Sequence, residues 1–203
     1  LLFVLNASPY HINKQLTRYE VVRERVGKTG MPVIYANQVG GQDELVFDGA
    51  SFAVDARGEL THQLPAFKEV IVLIELVGGV PVKGEVAPVA STEQDVYDAL
   101  TLGVRDYLGK NGFPGALLGL SGGIDSALTL AVAVDALGAD KVHAVMMPSQ
   151  YTAGMSCEDA KAQAQAMGVR YSELAIRPVF DVFGAVLADE FRGLQEDVTE
   201  ENL

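Results

Sequence analysis

The sequence has no tryptophan, a single cysteine and only three histidines among its 203 residues. One cysteine excludes an intrachain disulfide and any zinc site built from several cysteines, and it fits a reducing compartment. No apolar run reaches the length of a transmembrane helix, and no basic segment followed by an apolar one opens the sequence. The composition therefore favours the cytoplasm and indicates no membrane partner.

Basic residues are also scarce. Lysine and arginine together number 15 against 27 aspartates and glutamates, which gives a formal net charge of -12. Because proteins bind the nucleic-acid backbone through clustered lysine and arginine, this balance argues against a nucleic-acid partner. The hydrophobic fraction of 49% is sufficient to bury the cores of one or two globular domains.

The most informative segment is residues 115–128, GALLGLSGGIDSAL. Residues 116–120 are an apolar run of strand length, and residues 124–137 are apolar enough for a buried helix that ends at Gly138. The sequence therefore predicts a strand, a short glycine-rich loop and a helix in immediate succession.

The loop between this strand and this helix has the composition of a phosphate-binding site. Gly122 and Gly123 allow a tight turn and a close approach of the backbone, while Ser121, Ser126 and the first helical N–H groups can donate hydrogen bonds to phosphate. The carboxylate of Asp125 would repel a polyphosphate unless it held a cation, most simply Mg²⁺. Its alternative role is a helix N-cap.

Other glycine-rich motifs fit this loop less well. It has no lysine, which a Walker A loop requires, and its glycines do not match the G-x-G-x-x-G dinucleotide fingerprint. Residues 119–123 do contain G-x-S-x-G, so Ser121 could be an acyl-transfer nucleophile. The second glycine and the following Ile-Asp-Ser favour phosphate binding instead.

The SGGIDS sequence resembles the loop of the ATP-pyrophosphatases, which cleave ATP between its α and β phosphates and pass AMP to a substrate. GMP synthetase, asparagine synthetase and tRNA-thiolating enzymes share its core, so the loop alone indicates only a reaction type. Residues 106–138, 145–160 and 197–203 together resemble the synthetase domain of the glutamine-dependent NAD⁺ synthetases.

This resemblance implies the ligands of the second half of the chain. Asp125 is the implied Mg²⁺ ligand, and Asn202 corresponds to an asparagine that contacts deamido-NAD in the family. ATP and Mg²⁺ are the implied co-substrate and metal, with no prosthetic group. The residues that match the ATP-binding loop are Gly119, Leu120, Ser121, Gly122, Gly123, Ile124, Asp125 and Ser126.

The first part of the chain resembles a different family. Residues 1–11 and 31–60 are similar to the C-terminal part of a nitrilase-type glutaminase domain. By this resemblance Ser8 and Lys14 contact glutamine; otherwise Ser8 is a turn residue and Lys14 a solvated residue at a helix start. The family's catalytic cysteine, glutamate and lysine precede the NASPY segment and are not in this sequence, so no catalytic residue is assigned with certainty.

Together the two resemblances imply a ligase that converts deamido-NAD to NAD⁺ through an adenylated intermediate. Glutamine supplies the ammonia, and AMP and pyrophosphate are released. Two alternatives stay open, namely another ATP-pyrophosphatase amidotransferase, or a truncated fragment that only binds nucleotide. We also expect a homo-oligomer.

The expected fold class is α/β, with part of a nitrilase-like sandwich at residues 1–78, a linker at 79–91 and a Rossmann-like parallel domain at 92–203. Alternating strands and helices after residue 92 imply a parallel sheet with ligand at the carboxyl ends of its strands. The predicted strands are 1–5, 32–36, 44–47, 51–55, 59–64, 69–76, 116–120, 142–147 and 169–175, and the predicted helices are 13–28, 92–110, 124–137, 156–167 and 178–191.

Three further features carry weaker signals. Cys157 follows a predicted Ser156 cap and lies beside two acidic residues, so we interpret it as a structural thiol. Tyr151 and Thr152, in the loop after the second parallel strand, are either nucleotide contacts or turn residues. No metal-ligand spacing connects His11, His62 and His143.

Overall fold

The computed structural model describes residues 1–190 and residue 192. The chain divides into two compact units, unit 1 (Leu1–Gly112) and unit 2 (Phe113–Leu203). Each unit combines helices with a sheet that contains parallel strands, which confirms the predicted α/β class. Within the described residues, no helix is both long enough and apolar enough to cross a membrane.

Unit 1 is built on a four-stranded mixed sheet in the order β1-β2-β5-β6. Strands β1 and β2 are parallel, and the other neighbouring pairs are antiparallel. β1 lies at the edge of this sheet, and its Phe3 and Leu5 side chains are 62% and 86% exposed. The elements of unit 1 are β1 (Leu2–Asn6), α1 (Lys14–Thr29), β2 (Val33–Asn37), β3 (Val39–Gln42), β4 (Leu45–Asp48), β5 (Phe52–Val54), β6 (Leu60–Gln63), β7 (Leu76–Val77), β8 (Val80–Pro81) and α2 (Thr92–Lys110).

Helix α1 packs on this sheet through one side. Val22 and Val26, one helical turn apart, are buried in a core with Tyr35 and Phe52, whose rings stack 4.9 Å apart. Burying a side chain of this size contributes about 1.5–3 kcal/mol. The helix ends at Gly30, which has a φ of +66° and donates its N–H to the Val26 carbonyl.

Helix α2 packs within unit 1. Its Ala99 and Leu102 are buried with Phe67, and Val39 and Val46 of the β3–β4 hairpin pack against them. Its N-cap is Ser91, whose side chain accepts a hydrogen bond from the Gln94 N–H, so the helix begins at Thr92 as predicted. The compact units divide at Gly112, whereas the domain start at residue 92 stays a prediction.

One predicted strand of unit 1 is wrong, and β3 was not predicted. Residues 69–75 form no strand, and only Leu76 and Val77 of that region pair, with β8. An apolar run specifies a strand only when a neighbouring strand pairs with it, and here Ile71 and Leu73 are 99% and 94% exposed. Strand β3 gives no clear signal in the sequence, because its Val-Gly-Gly-Gln sequence has little β propensity.

Part of the predicted linker pairs with β6. The Gly84 N–H donates to the Thr61 carbonyl at 3.0 Å, and the Gln63 N–H donates to the Glu85 carbonyl at 3.1 Å. The Ala87 N–H then donates to the Gln63 carbonyl at 2.9 Å. Residues 84–87 therefore extend the sheet beyond β6 and are not merely a surface connection.

Unit 2 contains a three-stranded parallel sheet in the order β11-β10-β9, with a helix after each strand. The predicted alternation is confirmed, although α4 begins two residues early and α5 ends at Leu187 and not at 191. The elements are β9 (Ala116–Gly119), α3 (Ile124–Leu137), a 3₁₀ turn (Ala139–Lys141), β10 (Val142–Met146), α4 (Gly154–Met167), β11 (Arg170–Glu173) and α5 (Arg177–Leu187).

The core of unit 2 surrounds the central strand β10. Ala144 of this strand is fully buried, and Leu130 of α3 lies in the same core. Ala160 and Ala164 of α4 are also fully buried, because their small side chains let this helix approach the sheet closely. This packing fixes the carboxyl ends of the strands, where the two predicted ligand loops begin.

Candidate functional site

The predicted phosphate loop lies at the carboxyl end of β9. The Leu120 N–H donates to the Val145 carbonyl at 2.9 Å, which extends the pairing with β10 up to the loop. Residues 121–123 then turn the chain into α3, whose first residue is Ile124. In a parallel sheet, ligands bind outside this edge of the strands.

A network of serine hydroxyl groups shapes the loop. The Ser126 Oγ accepts a hydrogen bond from the Ser121 N–H at 3.1 Å and donates to the Gly123 carbonyl at 3.0 Å. The Ser121 Oγ lies 3.0 Å from the Ser126 Oγ and accepts a hydrogen bond from the Gly123 N–H at 3.3 Å. The loop is therefore held by its own hydroxyls before any ligand binds.

The N-terminus of α3 is open to an anion. Its N-cap is Gly123, which has no side chain to accept hydrogen bonds from the first helical turn. The N–H groups of Ile124 and Asp125 have no intrahelical partner in such a turn, and they carry the positive end of the helix dipole. Asp125 is the second helical residue, so its alternative role as an N-cap is wrong.

The Ser121 hydroxyl lacks the environment of an acyl-transfer nucleophile. Its side-chain hydrogen bonds in the described residues are with Ser126 and Gly123, whereas such a nucleophile needs an adjacent general base. His143, the one histidine of unit 2, is paired with the Ser172 hydroxyl at 2.8 Å. The surroundings of the loop favour phosphate binding over acyl transfer.

Gly122 brings the loop into contact with the start of α4. Its φ is +81°, and a Cβ atom at this position would lie 2.3 Å from the carbonyl oxygen of Ser156. Only glycine fits both the backbone conformation and the space. The loop that follows β9 therefore adjoins the first turn of the helix that follows β10.

Replacing Gly122 with alanine should destabilise unit 2 and displace the loop. We expect a loss of about 1–3 kcal/mol from the left-handed conformation, with the Ser156 contact adding to it. Urea unfolding of the chain measures this effect. Gly154→Ala is the matched control, because a Cβ there meets no atom within 4 Å. Equal unfolding midpoints for the two variants would contradict the tight contact.

The loop after β10 is also held by side-chain hydrogen bonds. The Ser149 N–H donates to the Thr152 Oγ1 at 3.0 Å, and the Tyr151 N–H donates to the Ser149 Oγ at 3.2 Å. The Tyr151 ring meets Phe180 edge-on, with their centroids 6.0 Å apart. Thr152 thus has a structural role, and contacts of Tyr151 and Thr152 with nucleotide stay predictions.

The surroundings of Asp125 bear on the kind of metal ion that it could hold. Its side chain is exposed, and the described residues contain no group of three or more histidine, cysteine or acidic residues able to hold a metal. Mg²⁺ commonly binds one or two protein carboxylates, substrate phosphates and several waters, so a single carboxylate is sufficient. The donor set therefore suits Mg²⁺ bound to a nucleotide better than a resident metal.

Ser8, a predicted glutamine contact, is fixed by two side chains of unit 1. Its N–H donates to the Asn37 Oδ1 at 2.8 Å. Arg18 donates from Nη2 to the Ser8 carbonyl at 2.8 Å and from Nε to the Ser8 Oγ at 3.3 Å. These hydrogen bonds hold Ser8 in place, and its contact with glutamine stays a prediction.

Arg18 and Asp48 form a buried ion pair that was not predicted from the sequence. The guanidinium donates from Nη1 to Oδ2 at 2.6 Å and from Nη2 to Oδ1 at 2.8 Å, and the two side chains are 3% and 6% exposed. Arg18 lies four residues before Val22 and eight before Val26, on the buried side of α1. That helical spacing was the available signal for a buried arginine.

Lys14, the other predicted glutamine contact, lines a cavity of 440 Å³ in unit 1. The walls also include Tyr10, Asp48, Asp95 and Asp98. Burial raises the pKa of Asp95, and the nearby Asp98 and Asp48 raise it further. The pKa of Tyr10 is raised by burial and then by Asp95 and Asp48. The carboxylates thus make this wall unfavourable for additional negative charge.

Asp95→Asn should stabilise the chain at neutral pH. A raised pKa means that the folded chain binds the Asp95 proton more tightly than the unfolded chain. Ionisation therefore destabilises the fold above the folded pKa and has no effect below the unfolded pKa. Urea unfolding from acid to neutral pH should show that the free energy of unfolding of Asp95→Asn exceeds that of the wild type by an amount that grows with pH. Glu93→Gln should show the opposite trend, because hydrogen bonds from its own N–H and from Ser91 lower the Glu93 pKa.

The remaining sequence candidates have mainly structural environments. Cys157 is half-buried and packs against the core of unit 2, which agrees with a structural thiol. The helix that carries it is preceded by Ala153 as N-cap, so the predicted Ser156 cap is wrong. Buried His62 pairs with the Thr61 hydroxyl at 3.2 Å. Asn202 lies outside the described residues.

Sequence comparisons match both halves of the chain. The family model described as NAD synthase matches residues 96–203. Glutamine-dependent NAD(+) synthetases of Acinetobacter baylyi and Rhodobacter capsulatus are each 46% identical to this chain over its whole length. The chain spans 38% of the length of each of these relatives.

Solved structures agree with the fold. A glutamine-dependent NAD⁺ synthetase from Acinetobacter baumannii in complex with ADP superposes with a TM-score of 0.94 at 44% identity, and the match covers 100% of this chain and 39% of that one. The glutamine-dependent NAD(+) synthetase from Cytophaga hutchinsonii has a TM-score of 0.82 at 20% identity over 98% of this chain and 41% of that one, which shows the fold alone.

Proposed function

The chain belongs to the NAD synthase family, and on this premise we propose that it is part of a ligase that amidates deamido-NAD to NAD⁺. The reaction consumes ATP, takes its ammonia from glutamine and releases AMP and pyrophosphate. The observation that carries this proposal is the loop of residues 121–126, which its own serine hydroxyls hold between the carboxyl end of a parallel strand and the N-terminus of α3, a position where proteins bind phosphate. The ADP complex of the Acinetobacter baumannii relative supports ATP as the nucleotide.

Adenylation at this loop would need no side chain that forms a covalent bond with the substrate. A nicotinate carboxylate resists attack by ammonia, because it is negatively charged and oxide is a poor leaving group. Transfer of AMP to that carboxylate creates a mixed anhydride, from which ammonia displaces AMP. The N–H groups at the start of α3, with Ser121 and Ser126, would orient the triphosphate for this transfer.

Asp125 is the residue that would hold Mg²⁺ in this site. The bound metal would neutralise charge that develops on the departing pyrophosphate. The exposed carboxylate lies next to the N–H groups that would bind the phosphates, so one nucleotide can meet both. This arrangement accounts for an acidic residue in a loop that otherwise favours anions.

The other predicted ligands complete the proposal. Ser8 and Lys14 would contact glutamine in unit 1, and Asn202 would contact deamido-NAD. ATP, deamido-NAD and glutamine or ammonia are then the small-molecule partners. A homo-oligomer and a cytoplasmic location stay predictions.

The test is an assay of the natural full-length protein with ATP, Mg²⁺ and deamido-NAD. AMP and NAD⁺ should form in equal amounts with either glutamine or ammonium as nitrogen source. Release of pyrophosphate in response to xanthylate or aspartate, and not to deamido-NAD, would identify another amidotransferase. Nucleotide binding without product from any of these carboxylates would contradict the ligase assignment.

A further inference from the structure

Helix α2 packs in unit 1, although the family match that covers unit 2 already includes most of this helix. The NAD synthase match begins at residue 96 and so includes most of α2. The helix nevertheless buries Ala99 and Leu102 in unit 1, beside the β3–β4 hairpin. Five residues, 111–115, connect its last residue to β9, the strand that leads into the phosphate loop.

A polar clasp, formed by Asp106, Lys110 and Gly41, fixes α2 on this hairpin. The Asp106 Oδ2 accepts a hydrogen bond from the Gly41 N–H at 2.7 Å, and the Lys110 Nζ donates to the Gly41 carbonyl at 2.5 Å. The same lysine lies 3.2 Å from the Asp106 carboxylate. One peptide unit on each side of Gly41 is therefore held by two charged side chains of α2.

Glycines bring the helix and the hairpin together at the clasp. A Cβ atom at Gly41 would lie 3.1 Å from the Asp106 Cβ and 3.2 Å from the Gly103 Cα. A Cβ atom at Gly103 would lie 3.3 Å from Val46. This close approach leaves little freedom for α2 to shift while the hairpin stays in place.

The hairpin also reaches the predicted glutamine contact. Asp48 lies at its open end, where it pairs with Val39 of β3, and Asn37 is the last residue of β2, two residues before β3 begins. Asn37 holds the Ser8 N–H, and Asp48 holds Arg18, which in turn binds Ser8. Contiguous hydrogen bonds and strand pairing thus connect Ser8 with α2.

We propose that Asp106 is a positioning residue whose clasp on Gly41 couples glutamine hydrolysis to use of the ammonia at the adenylation loop. This inference rests on the proposed function. The β3–β4 hairpin connects the environment of Ser8 to α2, and α2 leads within five residues to β9. Loss of the clasp should therefore uncouple the two half-reactions without removing either one.

Asp106→Ala in the full-length protein tests the coupling. Glutamate released per NAD⁺ formed should rise by about fivefold or more, while the NAD⁺ formation rate with ammonium should change by less than about twofold. Gly103→Leu, which forces α2 away from Val46, should give the same pattern. Glu93→Ala, an exposed carboxylate of α2, and Gly109→Leu, where a Cβ meets no atom within 4 Å, are the matched controls and should keep the wild-type ratio.

The outcomes distinguish failure of the positioning role of Asp106 from failure of the proposed function. An unchanged ratio in both test variants, or an equal fall of the glutamine and ammonium rates, would overturn the positioning role. Absence of NAD⁺ formation by the wild type with either nitrogen source would contradict the proposed function instead. The positioning role of Asp106, which rests on that function, would then be overturned with it.

Discussion

Asp125→Ala in the full-length protein should lower AMP formation at least about a hundredfold, while glutamine hydrolysis changes little. The reason is that Asp125 supplies the one carboxylate of the loop, beside helical N–H groups that attract phosphate. Without it, Mg²⁺ would be held by the nucleotide alone. AMP release and glutamate release, measured in the same samples, give the two rates.

A second readout separates metal binding from a general loss of activity. ATP affinity should depend on Mg²⁺ in the wild type and much less so in Asp125→Ala. Asp140→Ala removes the same charge from the 3₁₀ turn before β10, at the opposite end of the sheet, and should behave as the wild type. Undiminished AMP formation in Asp125→Ala would remove this residue from the metal role.

Arg18→Met should lower the free energy of unfolding by about 3–5 kcal/mol. The substitution leaves the Asp48 carboxylate buried without its bidentate partner, and it also removes the donors that bind Ser8. Urea unfolding measures this loss, provided that the free energy of unfolding has the same dependence on urea concentration in the wild type and the variant. The effect is large because a buried charge cannot recover its hydration in the folded chain.

Arg57→Met is the matched control for this loss. Arg57 pairs with Asp55 and Glu59, but its side chain is 75% exposed, so its removal should cost less than about 1 kcal/mol. The double variant Arg18→Met with Asp48→Leu should recover much of the loss, because neither charge then stays buried alone. Similar costs for Arg18→Met and Arg57→Met would show that the buried pair contributes no more than a surface pair.

Local patterns predicted unit 2 well. The apolar run at 116–120, the glycines at 122 and 123 and the apolar stretch from Ile124 are contiguous, and so the strand, loop and helix that they specify are contiguous too. Alternation of further strands and helices then restricts the sheet to parallel strands with right-handed crossovers. The candidate phosphate site follows from these local rules.

Contacts between distant residues were not predictable in the same way. Arg18 and Asp48 are 30 residues apart, and the Gly41 clasp joins positions 65 and 69 apart. Nothing in the local sequence of β3 or of residues 84–87 specifies which strand will pair with them. Conversely, residues 69–75 have the composition of a strand but lack a pairing partner among the described strands.

The edge position of β1 has a practical consequence for work with this chain in isolation. Among the described strands β1 pairs only with β2, which leaves its other side open, and its Phe3 and Leu5 are exposed. Open edges of this kind promote edge-to-edge association and aggregation. Light scattering or gel filtration of the isolated chain would therefore detect association through the edge of β1 as well as any native assembly. The quaternary state should be measured on the full-length protein.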